Sequence, residues 1–414
     1  MDHIIMDERK YFVSLGAGTH QLPIIRAAKN LGFKVVAVDK NIKAPGFEFS
    51  DVQVHCSIQK PCRIIRILGE ELMLDTIAGV AARSFGMANL SASIIAEYYR
   101  TPYLSSEKIK LFRNKRRIKE LLKKNGIHCP RIYSWKTKKS RESLLNSKRN
   151  LIVRPAIGSH GKLGIKIMKG KTEIEMFLKK NSADKNNILV EDMVQGNEYT
   201  VLGYIQNSEY RPVSITDKIV SSKKPIFAEL IHKFPSSLPR EMRENINEIM
   251  QKIADVLELN NTPVVAEFII PNRGKKPYLV ECNPEIGGEY LADYLVPAVY
   301  GEGYFEKIVN ILTKDQPSGK SFPETKAKRS VVIRFIEQKN GIIEQLGLPD
   351  LEKKYPGIIF SKLLKSPGMK TEYKNGNLDR LAVFALQGHI KESEKILKES
   401  EMIVSETTIA YKKA

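Results

Sequence analysis

The side chains of Glu267, Glu281 and Asn283 fall in one stretch, VVAEFIIPNRGKKPYLVECNPEIGGEY, at a spacing that suits a bound cation. The turn formers Pro271 to Gly274 separate two runs of β-branched and aromatic residues, which predicts a hairpin. A hairpin folded about Gly274 would place Glu267 opposite Glu281, with Asn283 two residues further along the same face.

Two acids that face each other across a hairpin predict a cation between them, because like charges directly opposite destabilise a pair of strands. Mg²⁺ is commonly held by one or two carboxylates together with substrate phosphates. The stretch therefore favours a magnesium–nucleotide site over the alternative, a half-buried hairpin with solvated glutamates. The residues that follow, NPEIGG, support this interpretation, since a Pro and two Gly straight after a strand indicate a loop built for close backbone approach.

A second stretch, LIVRPAIGSHGKLGIKIMK, has the pattern of a strand, a glycine loop and a strand. Gly158, Ser159, Gly161 and Gly164 leave backbone N–H groups free of bulk, as a phosphate cradle requires. The loop does not end in Gly-Lys-Ser or Gly-Lys-Thr and does not open a helix, so it is not a Walker loop. It predicts a hairpin flap over phosphates, with a plain surface hairpin as the alternative.

Further acids follow in two segments. The strand-like run ILVEDMVQGNEYT carries Glu191 and, seven residues later, Glu198. A strand that ends beside a nucleotide can offer backbone groups to adenine while a carboxylate accepts the ribose hydroxyls; without that context both acids would be surface residues. In FAELIHKFP, Glu229 and His232 stand three apart and would be neighbours on a helix, a spacing that is more often structural than catalytic.

The elements that must position these residues begin with a βαβ unit, YFVSLGAGTHQLPIIRAAKNLGFKVVAVD. Gly16 and Gly18 match the first two glycines of the dinucleotide fingerprint, but Gln21 stands in the third place, which favours a scaffold or substrate-facing turn over an NAD or FAD site. Residues 76–81 predict another buried strand. The first domain is expected to be a small doubly wound sheet.

A basic helix is predicted next, between the capping serines of SSEKIKLFRNKRRIKELLKKNGIHCP and its Asn125-Gly126 stop. The chain carries 67 Lys and Arg against 47 Asp and Glu, a formal charge of +20, and the segment from Lys108 to Arg149 holds much of that excess. No recognised nucleic-acid motif occurs there, so the lysines are interpreted as a solvated helix face, and no nucleic-acid partner is expected.

The bulk composition is that of a soluble globular protein. No run of about eighteen apolar residues occurs, and the first residues, MDHIIMDERK, lack the basic start and apolar core of a secretory signal, so no membrane association and a cytoplasmic location are expected. The four cysteines form no C-x-x-C pair, which argues against a zinc site or a disulfide framework.

Taken together, the βαβ start, the basic helix, the glycine flap, the E-x-x-V strand and the Glu…Glu-x-Asn hairpin resemble the ATP-grasp superfamily of carboxylate-activating ligases over about residues 10–310. The chain looks most like the L-amino-acid ligases, because RFIEQKNGIIEQLGL, YPGIIF, SPGM and ALQGHIKESEKIL are similar to their last domain. The resemblance implies an α/β and α+β ATP-grasp fold. Its parts would be a Rossmann-like domain (1–105), an ATP-grasp domain (106–315, with a flap subdomain at about 135–200) and a C-terminal α+β domain (316–414).

The resemblance also implies roles for individual residues. Lys115 matches the family lysine that contacts an ATP phosphate, and Arg154 stands where the family usually has lysine, which keeps the charge and gains a fork of donors. Glu267, Glu281 and Asn283 would hold Mg²⁺, with Mn²⁺ as a substitute. The other implied contacts are the flap over the phosphates (Gly158, Ser159, Gly161), adenine (Glu191, Asp192, Met193, Val194), the ribose (Glu198) and the substrate amine (Glu229, His232).

One position departs from the family pattern. After Asn283-Pro284 the family commonly has an arginine that binds the reacting carboxylate, and this chain has Glu285. Three explanations stay open: another cation such as Arg334 does that work, Glu285 recognises a cationic group on the amine substrate, or the ligase activity is lost.

The expected function is an ATP-dependent carboxylate–amine ligase that forms an amide or peptide bond through an acylphosphate and releases ADP and phosphate. The partners would be a small-molecule carboxylate and an amine, and a homodimer is a candidate assembly. The alternatives are a purine-pathway or bicarbonate-using enzyme of the same superfamily and a nucleotide-binding regulator without turnover.

Overall fold

The computed structural model describes residues 10–74, 76–84, 86–158, 164–181, 187–223, 227–272, 276–301, 303–313, 322–323, 326–374 and 376–412. Ser159 and Gly161 of the predicted flap and Gly274 of the predicted turn lie outside the described residues. Among the described residues, no helix combines the length and the apolar character needed to cross a membrane.

The amino-terminal unit is a parallel sheet with strands in the order β3-β2-β1-β4 and helices on both faces. Its elements are β1 (Tyr11–Leu15), α1 (Leu22–Asn30), β2 (Lys34–Asp39), β3 (Val52–His55), α2 (Pro61–Arg66), β4 (Ile77–Ala82) and α3 (Met87–Tyr99). Phe12 packs towards α1, and its neighbour Val13 packs towards α2 and α3. A parallel sheet covered on both sides produces the near-continuous apolar strands seen in the sequence, and the predicted doubly wound sheet is confirmed.

The glycine turn after β1 is satisfied from within the protein. Gly16 has a φ of +105°, and the Ala17 amide donates a 3.0 Å hydrogen bond to the Asp39 carboxylate at the end of β2. The Ala17 carbonyl accepts a 2.6 Å hydrogen bond from the Gly46 amide. These contacts favour the scaffold interpretation of this turn over a dinucleotide site.

The predicted basic helix is two helices, α4 (Ser106–Arg113) and α5 (Lys115–Lys124). The Ser105 side chain caps α4, as predicted, but the Asn114 side chain accepts a hydrogen bond from the Arg117 amide and begins a new helix. An N-cap residue needs extended backbone, so the helix breaks at Asn114. The break places Lys115 in the first turn of α5, where its amide donates to the Ala156 carbonyl of the flap at 2.9 Å.

The flap subdomain is a small sheet with strands in the order β5-β8-β6-β7. Its elements are β5 (Ile132–Tyr133), α6 (Lys138–Leu145), β6 (Leu151–Pro155), β7 (Lys166–Met168), α7 (Gly170–Lys180) and β8 (Ile188–Asp192). β6 and β7 pair antiparallel, as the predicted flap requires. Trp135, Leu144 and Ile174 pack both helices against this sheet.

A large antiparallel sheet forms the floor beneath the flap. Its first part contains β9 (Asn197–Gln206), β10 (Glu209–Val220), β11 (Glu229–Phe234), α8 (Arg240–Val256), β12 (Thr262–Ile270) and β13 (Tyr278–Asn283). α8 packs its apolar stripe, including Ile246, Met250 and Ile253, against one face of the sheet. The register of β12 and β13 places Glu267 opposite Glu281, as predicted.

The last part of the chain extends the same sheet and also forms a small sheet of its own. Its elements are α9 (Val296–Tyr300), α10 (Tyr304–Ile311), β14 (Arg329–Glu337), β15 (Gly341–Gly347), α11 (Leu351–Lys354), β16 (Ile358–Leu363), β17 (Lys370–Thr371), β18 (Arg380–His389), α12 (Ser393–Glu406) and β19 (Thr408–Lys412). β14 pairs with β11, so the strands of the large sheet lie in the order β13-β12-β9-β10-β11-β14-β18-β16. β15, β17 and β19 form the small second sheet. The large sheet thus continues across the predicted boundary at 315/316, and the domain limits stay predictions.

Candidate active site

A cleft of about 370 Å³ lies between the flap subdomain and the large sheet. Its floor is one face of that sheet, and strand register explains why charged side chains meet there. Glu267 pairs with Glu281, and Lys218 pairs with Glu198 on one side and with His232 on the other. Residues directly opposite in neighbouring strands point to the same face. The consecutive strands β13, β12, β9, β10 and β11 therefore bring these side chains to one surface.

Lys218 lies at the centre of this floor. Its ammonium is 2.9 Å from the Glu267 carboxylate, 3.3 Å from Glu198 and 3.4 Å from Glu229, and its side chain is fully buried. Burial disfavours a charged ammonium, but the carboxylates of Glu267, Glu229 and Glu198 outweigh that effect and hold the pKa of Lys218 well above its usual value. Sequence reasoning missed Lys218; the available signal was a lysine at an inward-facing position of the strand SITDKIV.

Glu281 is neutralised from the flap side of the cleft. The Lys115 ammonium lies 2.6 Å from one of its oxygens, and the Arg154 guanidinium lies 3.1 Å from the other. Burial would raise the pKa of Glu281, but Lys115 and Arg154 hold it far below its usual value. The Asn283 side chain donates a further 3.1 Å hydrogen bond.

The opposed pair of acids faces cations of the protein, and the metal ion expected between them stays a prediction. The register of the pair was expected to require a metal ion, whereas Lys218 neutralises Glu267 and the pair of Lys115 and Arg154 neutralises Glu281. Cations supplied by the protein thus relieve part of the repulsion between Glu267 and Glu281.

Glu191 is held in a buried ion pair at the base of the flap. Lys119 lies 2.5 Å from one of its oxygens and Arg154 lies 2.8 Å from the other. Burial opposes ionisation, but Arg154 and Lys119 lower the pKa of Glu191. Lys119 was also missed from the sequence, although its position four residues after Lys115 puts both lysines on one helix face.

The residues expected around adenine lie at the end of β8 and in the loop after it, and not all of them face the cleft. Glu191, Met193 and Val194 line the cleft. Asp192 points the other way, because neighbouring strand residues face opposite sides, and its carboxylate accepts a 2.8 Å hydrogen bond from the Tyr133 hydroxyl. The Asp192 side chain is therefore not part of the cleft wall.

Glu229 and His232 do meet, but on a strand rather than a helix. Leu230 is an extra residue in β11, since Ile219 pairs with Ile231 and Val220 pairs with Glu229. This β-bulge turns Glu229 and His232 to the same face. The Glu229 carboxylate lies 3.7 Å from the imidazole Nε2 atom of His232.

Glu285 lies at the end of the cleft. Its side chain makes no hydrogen bond or ion pair with any residue that the structure describes. Burial, followed by the nearby Glu281 and Glu267 carboxylates, raises the pKa of Glu285 to about 7.

Arg334 is not brought to Glu285. It pairs with Ile231, so it lies on the opposite sheet face from His232, and its guanidinium donates a 3.0 Å hydrogen bond to the Ser400 hydroxyl on α12. Burial lowers the pKa of Arg334. The expectation that Arg334 supplies the missing cation is corrected by this placement.

An adjoining cavity of about 450 Å³ opens beyond Glu285. Its charged and aromatic walls come from three parts of the chain: His20 and Arg83; Glu289, Tyr290 and Asp293; and Lys365 and Arg380. Arg83 pairs with Asp293, and Arg380 pairs with Glu289. Sequence reasoning missed both arginines, because residues far apart in sequence form this cavity.

The cleft has a surplus of acid. Among the residues that the structure describes, seven glutamates line it: Glu191, Glu198, Glu229, Glu267, Glu281, Glu285 and Glu289. Their cationic partners are Lys115, Lys119, Arg154, Lys218 and Arg380. A polyanion such as a nucleotide triphosphate would be repelled here unless divalent cations accompanied it.

The donor atoms on the floor have the chemistry that Mg²⁺ prefers. Glu267, Glu281 and Asn283 supply two carboxylates and an amide oxygen on adjacent positions of one sheet face. Within the described part of the chain, no group of three or more His, Cys, Asp or Glu side chains is drawn together as a metal cluster. The carboxylates face lysine and arginine instead, so metal binding would require them to exchange partners.

Comparison with known proteins identifies the fold. Residues 162–293 match the family described as the ATP-grasp domain. The solved structure of L-amino acid ligase from Bacillus licheniformis is 20% identical, with a TM-score of 0.79 over 98% of this chain and 99% of that one. Phosphoribosylglycinamide synthetase from Anaerococcus prevotii is 21% identical, with a TM-score of 0.75 over 98% and 100%.

A third solved structure contains ligands. It is the biotin carboxylase domain of 2-oxoglutarate carboxylase from Hydrogenobacter thermophilus, a dimer in complex with MgADP, ADP and bicarbonate, and is 17% identical, with a TM-score of 0.72 over 97% of this chain and 91% of that one. No curated protein sequence matched this chain. At these levels of identity the similarity defines the fold, and it does so over nearly the whole chain.

Proposed function

We propose, from the match of residues 162–293 to the ATP-grasp domain family and from the fold that the chain shares with L-amino acid ligase, that this protein is an ATP-dependent ligase that joins a carboxylate to an amine. One observation carries the proposal: beneath the flap, a pair of cations, Lys115 and Arg154, faces a hairpin of oxygen donors, Glu267, Glu281 and Asn283. Phosphoryl transfer depends mainly on positioning and charge neutralisation, and both kinds of group are present on fixed elements of one cleft.

The cleft walls suit a nucleotide. Apolar side chains, among them Ile152, Val194 and Ile269, offer a surface for a flat base. Glu198, at the rim of the same cleft, is the acid we assign to the ribose hydroxyls. Lys115 and Arg154 would turn from Glu281 to the phosphates, where ion pairs with charged donors are short and strong.

The proposed metal ligands are Glu267, Glu281 and Asn283. When bound there, Mg²⁺, or Mn²⁺ in its place, would neutralise negative charge on the phosphates. The acid surplus of the cleft supports this assignment. The MgADP held by the similar carboxylase domain supports it as well.

The proposed reaction has two steps, and no side chain forms a covalent bond in either. The γ-phosphoryl group passes from ATP to the substrate carboxylate, giving an acylphosphate and ADP. The amine then attacks the acyl carbon, an amide bond forms, and phosphate leaves with its bonding electrons. The flap would exclude water that otherwise hydrolyses the acylphosphate.

The adjoining cavity is where we place the two substrates. Arg83 and Arg380 bring positive charge to its walls, and Glu285 and Glu289 bring negative charge. Walls of both signs suit molecules that carry both an amino and a carboxylate group. The cavity meets the cleft at Glu285, so a substrate there would lie beside the proposed phosphoryl donor.

Two other functions have support of their own. A purine-pathway or bicarbonate-using enzyme is supported by the similarity to phosphoribosylglycinamide synthetase and to the carboxylase domain. Their TM-scores, 0.75 and 0.72, are near the value of 0.79 for L-amino acid ligase. A regulator without turnover is supported by Glu285, an acid that has no side-chain partner in the described part of the chain and stands where the superfamily commonly has arginine. The homodimer and the cytoplasmic location stay predictions.

Phosphate release from ATP and Mg²⁺, measured with pooled amino acids and then with bicarbonate, tests the proposal. Release that requires amino acids, with a product whose mass equals two amino acids less one water, would support the ligase. Release with bicarbonate alone would favour the carboxylase function. ATP binding without release under any condition would favour the regulator.

A further inference from the structure

Lys218 differs from the other cations of the cleft in where it is anchored. Lys115 begins a helix and Arg154 lies near the end of a flap strand, so both approach Glu281 from outside the large sheet. Lys218 belongs to β10, in the middle of the large sheet, and its side chain has no exposed surface. It can exchange one partner for another, but it cannot leave the floor.

The charges around Lys218 do not balance. A single ammonium faces three carboxylates, each from a different strand: Glu198 on β9, Glu229 on β11 and Glu267 on β12. Among the described residues, Glu198 and Glu267 form salt bridges with Lys218 alone. One positive charge cannot compensate three negative charges, so this group of residues attracts further cations.

Lys218 and a divalent metal ion would compete for the carboxylate of Glu267. The Lys218 ammonium lies 2.9 Å from the Oε1 atom of Glu267, and this is the shortest of the three ion pairs that Lys218 makes. A divalent ion placed between Glu267 and Glu281 would bind the same carboxylate. The Lys218 ammonium and the divalent ion would also repel each other, since unit charges about 4 Å apart interact strongly away from bulk water.

We propose, building on the proposed function, that Lys218 is a resident counter-ion that competes with the metal for Glu267. It would hold the three carboxylates together until metal and nucleotide bind, then keep Glu198 and Glu229 and release Glu267 to the metal. Lys218 is thus a positioning residue, and it makes metal binding depend on the nucleotide, whose phosphates supply the missing ligands. Metal alone should bind weakly.

Mn²⁺ binding without nucleotide tests this directly, by the loss of the electron paramagnetic resonance signal of free Mn²⁺. Lys218→Met should bind Mn²⁺ about tenfold more tightly than the unmodified protein, or better, a gain that a merely structural role would not give. Lys218→Arg, which keeps the charge, should bind as weakly as the unmodified protein. Lys233→Met is the matched control, because Lys233 is also buried and pairs with two acids, Asp217 and Glu394.

A double variant identifies the contested carboxylate. Adding Glu267→Gln to Lys218→Met should remove the gain in Mn²⁺ affinity, whereas adding it to Lys233→Met should produce no such reversal. If Lys218→Met binds Mn²⁺ no better than Lys233→Met, or if the double variant keeps the gain, the inference is wrong.

Folding gives a second readout. If Lys218→Met loses its near-ultraviolet circular dichroism, Mn²⁺ should restore it, because the ion replaces the missing charge among the three carboxylates. Failure of Mn²⁺ to restore the signal also overturns the inference. None of these measurements uses ATP, so their failure can be distinguished from failure of the proposed function, which phosphate release from ATP with amino acids or bicarbonate tests separately.

Discussion

Glu267 and Glu281 face each other across two paired strands, yet their carboxylates are neutralised from opposite directions. Lys218 approaches Glu267 from within the sheet, at 2.9 Å, and Lys115 approaches Glu281 from a helix terminus, at 2.6 Å. The acids proposed to bind metal and the cations proposed to bind phosphate thus neutralise each other. Nucleotide and metal would have to exchange both sets of partners, which ties the binding of one to that of the other.

Replacing Glu281 tests the metal assignment. Glu281→Gln removes a proposed metal ligand and the shared partner of Lys115 and Arg154. We expect ATP-dependent phosphate release to fall by about a hundredfold or more, since interactions that neutralise developing charge are worth that much. Affinity for ATP in Mg²⁺ should fall as well, measured by calorimetry. Glu209→Gln, at an exposed strand end, is the control and should keep both properties; unchanged turnover in Glu281→Gln would refute the assignment.

The hairpin could be predicted from sequence because its geometry is local. Fourteen positions separate Glu267 from Glu281, with a turn signal between them, and alternation along each strand then decides which side chains share a face. The glycine flap followed for the same reason. The cation that would accompany the acids could not be deduced, because a repelling pair of acids is relieved equally by a metal ion or by lysine and arginine.

What could not be predicted depends on long-range register or on small irregularities. Lys218 meets Glu267 because β9 stands between their strands, and Arg380 meets Glu289 because the last part of the chain extends the central sheet. Glu229 and His232 share a face through a single bulge at Leu230, which an uninterrupted pattern does not reveal. Strand order and bulges are properties of the folded sheet as a whole.

Arg154 forms ion pairs with two acids, Glu191 and Glu281, so its replacement should lower the free energy of unfolding. The guanidinium lies 2.8 Å from Glu191 and 3.1 Å from Glu281, so both acids depend on one forked group. Arg154→Met should lower the free energy of unfolding by about 3–5 kcal/mol, because it leaves a buried carboxylate short of a partner. Arg154→Lys keeps the charge but loses the fork, and we expect a smaller loss of about 1–2 kcal/mol.

Urea unfolding followed by circular dichroism would measure both Arg154 variants. Arg149→Met provides the comparison, since Arg149 pairs with Asp192 at 3.6 Å from an exposed position and should change stability by less than about 1 kcal/mol. Equal losses for Arg154→Lys and Arg154→Met would contradict this prediction, because they would mean that a positive charge without the fork contributes no stability.

Glu285 should govern the amine substrate rather than ATP. It stands where the cleft meets the adjoining cavity and has no partner among the described residues. If it recognises a cationic group on the amine, Glu285→Gln should raise the KM for the amine about tenfold, as the loss of a charged contact does, and leave the KM for ATP within about twofold. Steady-state kinetics with each substrate varied in turn would measure this.

The comparison variant for that prediction is Glu285→Arg, which introduces the residue common in the superfamily. It should reject the cationic amine more strongly than Glu285→Gln does, because attraction becomes repulsion. A Glu285→Arg protein that is more active than the unmodified protein with the same amine would argue against amine recognition by Glu285.

Two arginines on neighbouring strands of the last part of the chain allow a matched pair of variants. Arg380 lines the adjoining cavity and contacts Glu289, whereas Arg334 contacts Ser400 on the other side of the sheet. Arg380→Met should therefore lower turnover at least about tenfold, because it removes positive charge from the proposed substrate site and frees Glu289. Arg334→Met should leave turnover within about twofold, because Arg334 lies on the opposite sheet face from His232. Phosphate-release assays on both variants, after thermal unfolding has shown that each is folded at the assay temperature, decide between the two arginines. A larger loss in Arg334→Met than in Arg380→Met would contradict this prediction. It would mean that Arg334 replaces the arginine common in the superfamily and reaches the cleft by a movement of the last part of the chain.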